Sequence, residues 1–132
     1  MGESGDSDLI EHVSTTLFQP TVDRIAKAIA DAGMMLFARI DHAANAHNAG
    51  LTMPPATVLI YGHAKGGTPI MLASPRAALD LPLRVLVRER EDGQTVIAYH
   101  PVVQMLRGAG VPPTIAAHLE PAQRLLVETV TR

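Results

Sequence analysis

The clearest structural signal in this sequence is LRVLVREREDGQTVIAY, residues 83–99. Two runs rich in β-branched and apolar residues, 83–89 and 95–99, flank Glu91-Asp-Gly-Gln94. Asp-Gly suits the positions of a tight turn that need a positive φ, so the segment predicts a β-hairpin. Hairpin strands are antiparallel, which argues against a doubly wound parallel sheet.

Strand and helix patterns alternate on the N-terminal side of this hairpin. Apolar residues recur at helical spacing after Pro20, and β-branched runs bounded by Gly or Pro mark the strands. The predicted elements are a strand at 12–16, a helix from Pro20 to Gly33, a strand at 34–40, a short helix at 41–49 and a strand at 57–61.

The segment that follows the third strand is rich in glycine and proline. Residues 63–69 are therefore predicted to be irregular, and residues 75–79 to form a short helical piece. Residues 101–107 and 121–131 each begin with proline and predict C-terminal helices. The predicted fold class is α+β, an antiparallel sheet with packed helices.

Length and composition predict one domain. The chain has 132 residues, of which 47% are hydrophobic and 18% charged, a balance that suits one hydrophobic core. Residues 1–8 are polar and acidic with no apolar anchor, so we expect a disordered leader followed by a single α+β domain at 9–132. The absence of cysteine excludes thiolate catalysis, cysteine-ligated zinc and iron-sulfur clusters.

The charge balance and the lack of long apolar runs limit the partners. The net charge is −2 and tryptophan is absent, so we expect no nucleic-acid partner. No apolar run approaches the roughly 20 residues that span a bilayer, and the start of the chain lacks signal-peptide features. We therefore expect no membrane partner and a cytoplasmic location.

Four segments occur in an order that is typical of one family. They are FARIDHAA (37–44), PPATVLIYG (54–62), KGGTPIM (65–71) and LDLPLRV (79–85). At these segments the chain resembles the domain-of-unknown-function 302 family, over roughly residues 15–105. The resemblance implies a TATA-binding-protein-like sandwich, with a curved antiparallel sheet carrying helices. It also implies a homodimer, and it implies no known reaction.

One position departs from the family pattern. Family members usually read Gly-Asn-Pro-Lys after the strand, whereas this chain reads Gly62-His63-Ala64-Lys65. If the family loop binds a ligand, we expect this chain to bind it differently or to bind another.

Asp41 and His42 follow the second strand and open the short helix. Asp41 is placed to cap that helix, and a cap with a packed His42 explains the pair without catalysis. The functional alternative makes His42 a ligand or an acid-base group. His47 lies five residues further on and would point about 140° away on a helix, so the two histidines make a poor chelate.

The segment Gly62-His-Ala-Lys-Gly-Gly-Thr68 can be compared with a phosphate loop. Glycines expose backbone N–H groups, and Lys65 with Thr68 could hold an anion. The spacing does not match Gly-x4-Gly-Lys-Ser/Thr, which argues against nucleotide chemistry. A general anion site and a glycine-rich turn with a solvated lysine both remain open.

His63 is the most informative candidate because it ends a buried strand beside a glycine-rich loop. As an axial haem ligand it would need a pocket with apolar walls. The candidates for these walls are Met34, Met35, Leu36, Ile70, Met71 and Leu72. Methionines, however, more often pack in the hydrophobic core than line a cofactor site. Alternatively, His42, His63 and His100 could hold a divalent metal such as zinc with an open position. Neither alternative has a specific sequence signature.

The resulting functional prediction is a homodimeric protein that binds a small ligand or cofactor, with haem as the leading ligand and His63 as its axial ligand. Lys65 or Arg84 would pair with the propionates. The predicted cofactor-binding residues are His63, His42, Lys65, Gly66, Gly67, Thr68, Met71 and Arg84. The alternatives are a small metal-dependent enzyme that uses His42, His63 and His100, and a structural or interaction domain without a ligand.

Overall fold

A computed structural model describes residues 9–132, so the predicted leader at 1–8 lies outside the described residues. Its sheet has five strands in the order β1-β5-β4-β3-β2, and every pairing is antiparallel. The strands are β1 (Ile10–Val13), β2 (Met35–Asp41), β3 (Ala56–Gly62), β4 (Leu83–Glu89) and β5 (Thr95–Tyr99). This open antiparallel sheet confirms the predicted α+β class.

Within residues 9–132, six α-helices accompany the sheet. They are α1 (Phe18–Asp31), α2 (His42–Asn48), α3 (Ala64–Ala73), α4 (Val102–Arg107), α5 (Pro113–Ala116) and α6 (Glu120–Thr131). Two short 3₁₀ segments, Pro75–Leu79 and Ala117–Leu119, precede β4 and α6. The predicted hairpin is confirmed as β4 and β5, with Gly93 at φ +84° in the turn.

The prediction of irregular chain at 63–69 was wrong, because α3 begins at Ala64. Two glycines and the internal Pro69 disfavour a helix locally. Packing provides the compensation, since Ile70 is 3% exposed and belongs to the core cluster. Tertiary burial therefore outweighs local propensity in this segment.

One face of the sheet carries the core. Leu59, Tyr61, Val85 and Ile97 point to this face and are fully buried in a cluster that includes residues of α1 and α6. Burial raises the pKa of the Tyr61 hydroxyl well above its ordinary value. The phenol therefore stays uncharged in the core at neutral pH.

The opposite face, here called the open face, is also apolar at its centre. Cross-strand register places Ile40, Val58 and Leu86 in one row, with Ile60 beside Arg84 in the next. The four apolar side chains are only half-buried, and Arg84 is exposed. None of the four belongs to the buried core cluster or is packed against it. This face therefore keeps apolar surface in contact with water.

The edge strand β2 is irregular. Leu36 pairs with Tyr61 and Ala38 with Ile60, so Phe37 between them has no cross-strand partner and forms a β-bulge. Phe37 keeps 47% of its surface exposed. The bulge shifts which side chains of β2 face the core.

A buried amide joins the end of β5 to α6. Gln123 is 4% exposed, its Oε1 accepts from the backbone N–H of Val102 at 3.0 Å, and its Nε2 donates to the carbonyl oxygen of His100 at 2.9 Å. A single side chain thereby satisfies one donor and one acceptor of the chain between β5 and α4.

Thr95 offers a small stabilising substitution. Within residues 9–132, its hydroxyl is the one buried side-chain nitrogen or oxygen that lacks a hydrogen-bond partner. An unsatisfied buried hydroxyl costs free energy that an isosteric methyl group does not, so we expect Thr95→Val to raise the unfolding free energy by about 1 kcal/mol. Urea denaturation measures the change, and a lower midpoint for the variant would contradict the assignment.

Candidate functional site

His63 connects the end of β3 to the start of α3. Its backbone is extended, and its Nδ1 accepts a hydrogen bond from the backbone N–H of Lys65 at 3.3 Å. Its carbonyl oxygen accepts from the N–H groups of Gly66 and Gly67 at 2.9 and 3.0 Å. His63 therefore acts as the N-cap of α3, a role usually taken by Asn, Asp or Ser.

The cap determines which ring nitrogen of His63 carries the proton. A neutral imidazole has one acceptor and one donor nitrogen. Because Nδ1 accepts from Lys65, the neutral ring must carry its proton on Nε2. Nε2–H is therefore a hydrogen-bond donor, and neither nitrogen offers a free lone pair while the cap is made.

An apolar pocket of about 250 Å³ lies beside this cap. Four segments of the chain line this pocket. They contribute Met34 just before β2 and Phe37 within it, Gly67, Thr68 and Met71 of α3, residues 81–83 around the start of β4, and Leu119 and Ala122 of the C-terminal segment. His63 and Thr68 are the polar side chains of this lining, and both are exposed. The pocket is thus an apolar space in which the two polar lining side chains are exposed.

The structure brings together half of the predicted cofactor-binding residues. His63, Gly67, Thr68 and Met71 all line the pocket. Lys65 is exposed on α3 next to this group, outside the lining. Gly66 also lies outside the lining, and a Cβ there would meet Leu119 Cδ2 at 3.3 Å.

The predicted cleft between the Asp41-His42 corner and the 63–71 segment does not form. Asp41 caps α2 as predicted, accepting from Ala44 N–H at 2.9 Å. However, Asp41 pairs with Thr57 at the start of β3, whereas His63 follows its end. Six residue steps of extended chain, about 20 Å, separate Thr57 from His63. His42 therefore lies at the opposite end of the sheet from the pocket.

Two further predicted residues lie outside the pocket. Arg84 is on the open face, opposite Ile60, and is absent from the pocket lining. His100 follows β5, two strands away from β3 in the sheet. Within residues 9–132 no group of three His, Cys, Asp or Glu side chains could hold a metal ion. The proposed ligand set of His42, His63 and His100 is therefore not assembled.

Several lining residues were missed at the sequence level. Of the predicted apolar walls only Met34 and Met71 line the pocket, while Ile70 is buried in the core and Leu72 is 79% exposed. Leu119 and Ala122 carry no local signal, because they reach the pocket only through the folding of the C-terminal segment.

Comparison with known proteins identifies the family. The sequence model described as "Domain of unknown function DUF302" matches residues 10–131. The chain belongs to the DUF302 family. A crystal structure of the uncharacterized conserved protein DUF302 from Bacillus stearothermophilus superimposes with a TM-score of 0.85 at 15% identity, covering 93% of this chain and 98% of that one. At this identity the superposition shows a shared fold.

Two curated proteins that match part of this chain are longer than it. "Fluoride-specific ion channel FluC 1" of Brucella suis is 37% identical over 89 residues, which is 67% of this chain and 35% of that protein. "Fluoride-specific ion channel FluC 2" of Brucella melitensis gives the same identity over 33% of its length. The chain thus spans about a third of these relatives. In the described part of this chain, 9–132, no helix is long and apolar enough to cross a membrane.

His63 is an unusual residue for the cap that it makes. Asparagine is among the best N-cap residues because its side-chain oxygen accepts from the first turn. His63 Nδ1 performs the same task. The cap of α3 is therefore made by a residue that also lines the pocket.

Proposed function

We propose that this protein binds a compact apolar ligand in the pocket beside His63. The observation that supports this is an apolar space of about 250 Å³ whose two polar lining side chains, His63 and Thr68, are exposed. An engineered 150 Å³ apolar cavity binds benzene, whereas sites for drug-sized ligands begin near 300 Å³. The expected ligand is therefore about the size of one substituted ring.

Methionine methyl groups provide the test. Met34 and Met71 line the pocket, whereas Met35 and Met53 are exposed and lie outside it. We expect titration of ¹³C-methyl-methionine protein with ethylbenzene to shift the signals of Met34 and Met71 saturably and to leave Met35 and Met53 unchanged. Equal shifts at all four methyl groups, or none, would refute the pocket as a binding site.

Haem with His63 as axial ligand is the alternative, and the described site does not fit it. Coordination through Nε2 needs the lone pair that the proton occupies, so it would require loss of the hydrogen bond from Lys65. The pocket is also small for a macrocycle. A hemin titration decides between the ligands, because a Soret shift that is lost in His63→Asn would establish haem and exclude the capped arrangement.

We also propose that the protein is a homodimer that associates through the open face. Ile40, Val58, Ile60 and Leu86 form a half-buried apolar centre. Glu11 and Arg88 lie on the same face, joined by a 3.6 Å ion pair, and Arg84 is exposed. In a two-fold interface the apolar centres would face each other, and charges of both signs could pair at the rim.

A charge at the centre of this face is expected to separate the subunits. Ile60→Lys should convert a species of twice 14.1 kDa into one of 14.1 kDa in light scattering, because an unpaired ammonium would be buried at the interface. Leu72→Lys is the matched control, since Leu72 is 79% exposed on α3 and its substitution should leave the mass unchanged. A wild-type mass of 14.1 kDa would contradict the dimer.

Fluoride conduction is the activity in the names of the Brucella relatives, and about two thirds of each lies outside the matching segment. The proposal of a ligand pocket beside His63 does not depend on fluoride conduction. A cytoplasmic location stays a prediction.

A further inference from the structure

We infer that the ligand is an uncharged carbonyl compound, such as a compact ketone, aldehyde or ester, whose oxygen accepts a hydrogen bond from His63 Nε2–H. This inference rests on the proposed function. It adds the chemical class of the ligand to the location of the pocket.

The direction of the hydrogen bond follows from the cap. Lys65 N–H donates to Nδ1 at 3.3 Å, so the neutral ring presents a donor at Nε2. The hydroxyl of Thr68 can both donate and accept, so it does not select between ligand types. A ligand that offers an acceptor at the mouth therefore gains an interaction that a hydrocarbon of the same shape lacks.

The absence of full charges in the lining favours an uncharged acceptor. With His63 neutral, the described residues that line the pocket carry no Asp, Glu, Lys or Arg side chain. Enclosing a carboxylate there would remove water from the charge without providing an ionic partner. A carbonyl oxygen needs only the one donor.

His63→Asn separates the two roles of this residue. Asparagine is a strong N-cap, so α3 should keep its start. Asparagine has a donor of its own, Nδ2–H₂, but its shorter side chain does not extend as far as Nε2. The variant therefore keeps the cap and removes the donor from the position of Nε2, whereas His63→Ala would remove both.

Binding of acetophenone and ethylbenzene, which have similar shape and differ at the acceptor, is the test. We measure both dissociation constants by the Met34 and Met71 methyl shifts. The ratio of the dissociation constant of ethylbenzene to that of acetophenone should be about threefold to tenfold lower in His63→Asn than in the wild type. Ethylbenzene itself should bind both proteins equally. Leu72→Ala, at an exposed α3 residue outside the lining, should keep the wild-type ratio.

The outcomes distinguish the two proposals. Failure of ethylbenzene to bind the wild type would overturn the proposed function itself. Ethylbenzene binding with the same ratio in wild type and His63→Asn would overturn only the role of Nε2–H. Tighter binding of benzoate than of acetophenone would overturn the uncharged class.

Discussion

Ethylbenzene binding is expected to weaken at least a hundredfold when Gly67 is replaced by leucine. A Cβ at Gly67 would lie 3.8 Å from both Leu81 Cδ1 and Met71 Cε, two side chains of the pocket wall. These are ordinary van der Waals contacts, so the first carbon fits, and the remaining carbons of leucine must extend into the pocket. Loss of the space removes the apolar contacts on which the ligand depends.

The helix should tolerate this substitution. Gly67 has no positive φ within α3, and glycine is about 0.8–1.0 kcal/mol less favourable than alanine inside a helix. We therefore expect the melting temperature of Gly67→Leu to equal or exceed that of the wild type. Binding and stability would then change in opposite directions, which general unfolding cannot produce.

Gly67→Ala is the matched control. Alanine provides a similar gain in helix propensity but adds only a methyl group to the pocket. It should bind ethylbenzene within a few-fold of the wild-type affinity. If Gly67→Leu binds as tightly as Gly67→Ala, the ligand lies elsewhere and the pocket assignment fails.

Unfolding free energy should fall by about 2–4 kcal/mol in Gln123→Ala. The side chain is 4% exposed and satisfies Val102 N–H and the His100 carbonyl. Each buried group left without a partner costs about 1–3 kcal/mol. Domains of this type have a total stability of only about 5–15 kcal/mol, so urea denaturation should show the loss clearly.

Gln123→Met distinguishes lost hydrogen bonds from lost volume. Methionine has a similar length and no amide, so it fills the space but makes neither of the two hydrogen bonds of Gln123. We expect a destabilisation close to that of the alanine variant. A loss below about 1 kcal/mol in Gln123→Met would mean that water replaces the amide, and the side chain would then be a packing residue.

The secondary structure was largely predictable because local chemistry decides much of it. Asp92-Gly93 set the hairpin turn, and Asp41 capped α2 as expected. The start of α3 was not predictable from propensity, because Ile70 is held by tertiary burial and His63 supplies an unusual cap.

The candidate site was only partly predictable. His63 and Met71 are close in sequence, so their shared location follows from the chain itself. The prediction that His42 lies beside them was wrong. His42 follows the end of β2, which pairs with the start of β3, whereas His63 follows the end of β3. Leu119 comes from more than fifty residues beyond His63, and no sequence pattern indicates that contact.

The bulge in β2 affects assembly as well as the pocket. An outer strand with a regular row of free N–H and C=O groups can recruit strands from other molecules without limit. The unpaired Phe37 interrupts that row and turns its ring toward the pocket. Strand addition at the β2 edge is therefore disfavoured, and a concentrated solution of this protein should not form fibrils through this edge.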